Sequence, residues 1–371
     1  MNWSLLLVVL GMLCGAGISC DTAPPTPPAT PTTELARAPL AAFGAAGTPT
    51  VISIAPDASR LALRLRAGGL LDPQDTLKLY DAAKKQWDDP SLPVPPDEKL
   101  VGMHFSPDGR FQIGVSVTAH PYRNLRVFRT QDLGEMFAVQ TDINGIAPIT
   151  FSADGRWMLH PTPPDKNGRF ALAVVNVTSG APRATLNIDM RALSRGVFKN
   201  VAFTPDGNFI YARQVDHLLV WNATSGQRVT EWQWVGFGDV TTMGCTPDSQ
   251  IVRALMQEGT IATIELPAGS NVRTSRLDVP SIPSNQPRHV PFEQPWSFQR
   301  AMFSSDGTSV LRDAGGRIDV FDLQTGRFSR VFSLPAGATQ VDFAPRQGNL
   351  VPVQVRGADG RSSIAIVRLP N

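Results

Sequence analysis

Surplus charge of either sign is missing from this chain. Its 34 Lys and Arg stand against 32 Asp and Glu, and no run of five like charges occurs. A nucleic-acid binder needs a concentrated basic face, so that class is excluded as the expectation. Cysteine is nearly missing too: Cys14, Cys20 and Cys245 are the whole set. The first two lie in an apolar leader, so no disulfide framework is available, and Cys245 reads as a small buried hydrophobe. The longest apolar run, Leu5 to Leu13, is too short for a confident spanning helix. The five histidines form no metal-spaced pair, and no nucleophile elbow, P-loop or dinucleotide fingerprint appears. No catalytic, cofactor or metal residue is therefore named, and the expectation is a protein without cofactors.

Turn chemistry, in contrast, is abundant, with 32 prolines and 31 glycines. An apolar strand, a Ser/Thr-Pro-Asp-Gly corner and a second apolar strand recur along the chain. The copies are centred on Asp57, Asp108, Asp154, Asp206, Asp248, Asp306 and a degenerate Arg346. The intervals are 51, 46, 52, 42, 58 and 40 residues, which makes seven repeats. Each corner residue has a local reason: Pro presets φ, Asp bonds its own backbone, and Gly takes the left-handed conformation. Metal binding by these aspartates is the lesser reading, because they are spread over seven units.

A second marker follows the corner, a strand end and a Gly turn. The clear cases are Val220-Trp221-Asn222 before Gly226 and Val320-Phe321-Asp322 before Gly326. On these two markers residues 35–371 resemble the WD40 and PD40 (TolB-like) propeller families. The resemblance implies an all-β, seven-bladed β-propeller of four-stranded antiparallel blades. The Gly-His dipeptide of strict WD40 repeats is absent, so that family's buried Asp-His network is not implied. The last repeat, Val341 to Leu369, has room for three strands only. The fourth is expected from about Leu35 to Phe43, closing the ring by joining the two chain ends. Six or eight blades would need a repeat lost or gained.

Residues 1–19 read as a signal peptide without the usual basic start. Gly17-Ile18-Ser19-Cys20-Asp21 resembles a bacterial lipobox with Gly where Leu is usual, which implies lipidation at Cys20. Cleavage near Ala16-Gly17 to a soluble secreted form and an uncleaved anchor are the alternatives. Residues 20–34 then form a tether, with five prolines among residues 22–33. At about 3.1 Å per residue it would reach roughly 35–40 Å. The expected location is a cell membrane, facing periplasm or exterior.

In a four-stranded meander the Pro-Asp-Gly and Thr-Ser-Gly corners share one face. The long connections (67–75, 88–99, 118–124, 161–169, 187–199 and 277–298) leave from the other. Long loops on a rigid scaffold carry binding residues. The candidate recognition surface is His120, Tyr122, Trp234, Phe237, Arg288, His289 and Trp296. Aromatic and guanidinium groups of this kind dominate binding hot spots; alternatively, Trp296 and Phe298 plug a blade interface. The expected function is a non-catalytic scaffold for a protein or glycan partner, acting as a monomer. A propeller hydrolase or lyase with a site at the channel mouth is the alternative. A third reading is an assembly component resembling TolB in role. The sequons at Asn176 and Asn222 read as turn residues.

Overall fold

The repeat is built from strands whose side chains alternate between two covered faces, so both faces are apolar. In β16 (Phe209–Gln214), Ile210 and Ala212 pack toward one neighbour and Tyr211 toward the other. A sheet apolar on both sides cannot stand alone and has to stack. The computed structural model describes residues 29–40, 48–67, 74–88, 92–117, 123–141, 149–167, 171–187, 199–214, 217–233, 240–267, 272–278, 300–304, 306–341, 343, 349–359 and 361–370.

Seven sheets result, each built on a four-stranded antiparallel meander; the sixth adds one parallel strand and the seventh takes its outer strand from the N-terminus. Blade 1 is β3 (Thr48–Ile54), β4 (Arg60–Ala67), β5 (Gln74–Asp81) and β6 (Gln86–Asp88). Blade 2 is β7 (Lys99–Phe105), β8 (Phe111–Val117), β9 (Arg123–Arg129) and β10 (Glu135–Thr141). Blade 3 is β11 (Thr150–Phe151), β12 (Trp157–Pro161), β13 (Ala171–Asn176) and β14 (Pro182–Asn187). Blade 4 is β15 (Lys199–Phe203), β16, β17 (His217–Asn222) and β18 (Arg228–Gln233). Blade 5 is β19 (Val240–Cys245), β20 (Ile251–Met256), β21 (Thr260–Glu265) and β22 (Val272–Arg276). Blade 6 is β23 (Ala301–Phe303), β24 (Ser309–Asp313), β25 (Arg317–Asp322) and β26 (Phe328–Ser333).

Blade 7 takes β27 (Ala338–Val341), β28 (Leu350–Arg356) and β29 (Ser362–Arg368) from the C-terminus, and β2 (Thr33–Pro39) from the N-terminus. The missing fourth strand is thus N-terminal, as the length of the last repeat requires. The Tyr80 hydroxyl donates to the Arg37 carbonyl at 2.7 Å and the Trp87 indole N–H to the Pro39 carbonyl at 2.7 Å, tying β2 to blade 1 as well.

The apolar core is not central. Seven clusters of buried side chains each draw on two successive blades. Between blades 1 and 2, Ala62 and Leu79 meet Met103, Phe105 and Phe128. Between blades 6 and 7, Val320 and Phe332 meet Val351 and Val353. The closing interface sets Ala38, Leu350, Ile364 and Ile366 against Val51, Leu61, Leu63 and Tyr80. Removing any blade exposes two of these clusters, so the ring is cooperative by construction.

Composition assigns residues 29–34 to the tether, yet they belong to the sheet. β1 (Ala29–Pro31) adds a fifth, parallel strand to the outer edge of β26. Thr32 then donates its N–H (3.1 Å) and hydroxyl (2.7 Å) to the Ser333 carbonyl, and β2 begins. The N-terminal segment therefore crosses from blade 6 to blade 7 on the outside. An outer edge has free backbone acceptors and tolerates Pro31, which has no N–H to offer.

Candidate functional site

The two faces of the ring differ, and the difference starts in the corners. In blade 2 the Ser106 hydroxyl donates to Asp108 Oδ1 at 2.6 Å and accepts the Phe111 N–H at 2.9 Å. Asp108 Oδ1 also accepts the Arg110 N–H at 3.0 Å. The same three bonds recur around Asp154, Asp206, Asp248 and Asp306. In blade 1 Ala55 replaces the hydroxyl, and Asp57 keeps the bond from the Ser59 N–H. Burial pulls the Asp108, Asp154, Asp206 and Asp306 carboxyls upward, but the hydroxyl and backbone donors outweigh it and leave each below its ordinary value. These aspartates are spent on their own corners.

The corners also touch each other. A Cβ on Gly155 would lie 2.7 Å from Asp108 Oδ2 in the preceding blade, besides needing φ +68. The Asp206 N–H donates to Ser249 Oγ at 3.0 Å across blades 4 and 5. A second ring of corners joins third to fourth strands. There Asn222 Oδ1 caps Thr224 N and Ser225 N, both at 2.9 Å, and Asn176 does the same for Thr178 and Ser179. Both sequon asparagines are thus turn residues by geometry. Gly226, at φ +71, packs directly on the Thr185 carbonyl of blade 3. The described corners of this face are held by their own bonds.

The opposite face carries the connections between second and third strands and between blades. Four of the former are short: residues 215–216, 257–259, 314–316 and 357–361. The candidate recognition residues His120, Tyr122, Trp234, Phe237, Arg288, His289 and Trp296 all lie outside the described residues, as does Cys20. What the structure places on this face is the rooting of the loops.

The connection ending at Glu98 is held by a polar network absent from the sequence expectations. Glu98 accepts from Asn124 Nδ2 (2.9 Å), Arg126 Nε (2.9 Å), Arg126 Nη2 (2.6 Å) and the Ser116 hydroxyl. Arg126 Nη1 turns the other way, to both Glu135 oxygens at 3.0 and 2.9 Å. The Arg126 guanidinium, helped by Ser116 and Asn124, holds the Glu98 carboxyl at about 2 against the pull of burial. Leu92, upstream on the same connection, is buried against Gly114, where a Cβ would come within 3.0 Å of its methyl.

The stems of the longest connection, residues 279–299, are fixed as well. Leu277 is buried among Leu255, Phe303 and Phe321, and the Asp278 N–H donates to the Gly326 carbonyl at 2.7 Å. At the return, the Arg300 carbonyl accepts the Asp313 N–H at 2.9 Å. Asp313 Oδ2 accepts the Val341 N–H at 3.0 Å and lies 3.9 Å from Arg300 Nη1. Beside it Asp319 takes Arg312 Nη2 at 2.5 Å and Arg317 Nε at 3.0 Å.

Burial shifts three further groups. Burial, with Arg64 adding, holds His104 at about 4, so it is neutral at pH 7. Burial also lowers His160, whose ring nitrogen lies 3.0 Å from the Pro161 carbonyl. Burial pushes the Cys245 thiol up to about 12, with Asp206 and Asp248 adding, so no thiolate forms there. Among the described residues no three His, Cys, Asp or Glu gather as a metal site would require. No described helix is long and apolar enough to cross a membrane.

The class these observations define is the seven-bladed β-propeller, with a closed corner face and a loop face on fixed stems. No protein-family model matches the chain, and no curated protein matches its sequence. Among solved structures, 1513 chains match it, so the fold is too common to carry a function. One is the crystal structure of a mitotic checkpoint complex, aligned over 100% of both chains with a TM-score of 0.55 and 10% identity. At that identity the likeness shows the fold alone.

Proposed function

We propose that the protein is an exported, envelope-tethered propeller of the WD40/PD40 kind that binds a protein or glycan partner through its loop face without catalysing a reaction. The observation that carries this is the asymmetry of the faces. The described corners of one face are short turns bonded within themselves and packed on the next blade. The other presents long connections, of which 279–299 is held at both stems by Leu277 and Asp313 and the one before β7 is held at its end by Glu98–Arg126. Pinned stems reduce the ordering cost of a binding loop.

The described carboxylates with displaced pKa values are all displaced downward, each by turn or ion-pair partners. The tether reading rests on Cys20, the apolar leader and the proline run; mass spectrometry of the mature N-terminus tests it.

Replacing residues 279–298 by a flexible Gly-Ser linker tests the binding reading. A partner captured from an envelope extract by the unaltered propeller is expected to lose at least tenfold in affinity, with the thermal midpoint little changed. Undiminished binding would overturn the assignment to this face.

A further inference from the structure

The point where the chain enters the ring restricts how a tether can hold it. From Ala29 onward the chain is bonded to blade 6, so nine residue steps separate it from Cys20. Fully extended, they reach about 30 Å. A compact domain of this size is about 50 Å across. If Cys20 is the anchor, the bilayer can be met by the outer rim around the entry point and not by the far side of the ring.

That rim is basic. Arg273, Arg276, Arg327 and Arg368 are exposed, and half-buried Arg330 lies 5.0 Å over the Phe332 ring. They follow one another through contacts between neighbouring strands and corners. The Arg276 carbonyl abuts Gly326, next to Arg327. The strand of Arg330 ends at Ser333, which accepts from Thr32, and Thr33 pairs with Arg368. The carboxylates nearby are fewer: Glu265, 4.0 Å from Arg273, with Asp278 and Asp322. Glu34 is already taken by Arg37 at 2.6 Å. On the outer strands and corners of blades 1, 2 and 4, Lys84 pairs with Asp88, Arg129 with Asp132 and Arg228 with Glu231.

We infer that the outer rim of blades 5 to 7, carrying Arg273, Arg276, Arg327, Arg330 and Arg368, rests on an anionic phospholipid surface, so that the propeller stands on its edge beside the bilayer with its loop face turned sideways. The orientation rests on the tether reading; the lipid preference of the rim does not. Clustered arginines lower the free energy near anionic headgroups and lose that attraction in salt.

The test uses residues 21–371, which contain every described strand and carry no lipid, with vesicles of phosphatidylcholine alone or mixed with phosphatidylglycerol. Sedimentation is expected with the mixed vesicles at low salt and not with the neutral ones. The variant R273Q/R276Q/R327Q/R368Q is expected to lose at least tenfold in partitioning. A control with K84Q/K85Q/R183Q/R228Q is expected to keep it, with thermal midpoints confirming that both fold. Equal binding to both vesicles, no binding at low salt, or equal loss in the two variants would overturn the inference. An unmodified Cys20 in the native protein, with vesicle preference intact, would overturn the tether and leave the lipid surface standing.

Discussion

A chain that starts at residue 40 unfolds at a far lower denaturant midpoint than one that starts at residue 29, and no longer in a single transition. The two differ only by β1, Thr32 and β2. β2 pairs six residues with β29. At about 1 kcal/mol net per backbone bond, these contribute about 6 kcal/mol. Losing β2 also uncovers Ile364 and Ile366 and removes the acceptors of Tyr80 and Trp87. A domain is stable by only about 5–15 kcal/mol in total, so the loss is most of it. The damage should start at the seam between blades 7 and 1, with hydrogen exchange fastest in β28, β29 and β4. Two transitions by tryptophan fluorescence and far-UV circular dichroism would show it; coincident curves at the full-length midpoint would not fit.

The second large effect belongs to Glu98. Glu98→Gln keeps the shape but removes the charge opposite Arg126, whose side chain is 14% exposed while that of Glu98 is 5% exposed. Breaking a buried pair on one side costs about 3–5 kcal/mol, and Glu135 still partners Arg126, so about 3 kcal/mol is expected at pH 7. The acid dependence follows with its sign. The Glu98 carboxyl is lower in the folded protein, at about 2, than its ordinary 4.5. Its stabilisation is therefore complete above pH 4.5 and lost as pH falls from 4.5 toward 2. Urea midpoints across that window should fall less steeply in Glu98→Gln than in the unaltered chain. Parallel curves would remove Glu98 from the account.

The ring was legible in the sequence because its corners need particular residues. A Pro-Asp-Gly corner has few substitutes, so Asp108, Asp154 and Asp206 announce themselves; where Gly is missing, Ala58 and Ser249 accept φ 61. The closing strand was legible by arithmetic, since Val341 to Leu369 holds three strands and a blade needs four. β1 was not. Ala29-Thr30-Pro31 has no strand signature, and its place depends on an edge that β26 leaves free. The Glu98 network was also hidden, because its partners lie 18, 26 and 28 residues away and no spacing rule joins them. The corner aspartates show the reverse: read as turn residues, they are found bonded as turn residues. The recognition residues from His120 to Trp296 follow from loop length and composition and lie outside the described residues; the stems at Leu277 and Asp313 hold one of those loops, residues 279–299.

The ring closed by its own N-terminus can be tested by supplying that terminus separately. A synthetic peptide of residues 29–39 is mixed with the chain from residue 40, and tryptophan fluorescence is followed during titration. Saturable one-to-one binding is expected, with a spectral change from Trp87 as its indole N–H regains the Pro39 carbonyl and a return of the single unfolding transition. A titration with no saturable signal, from a truncated chain already as stable as the full ring, would contradict the closure.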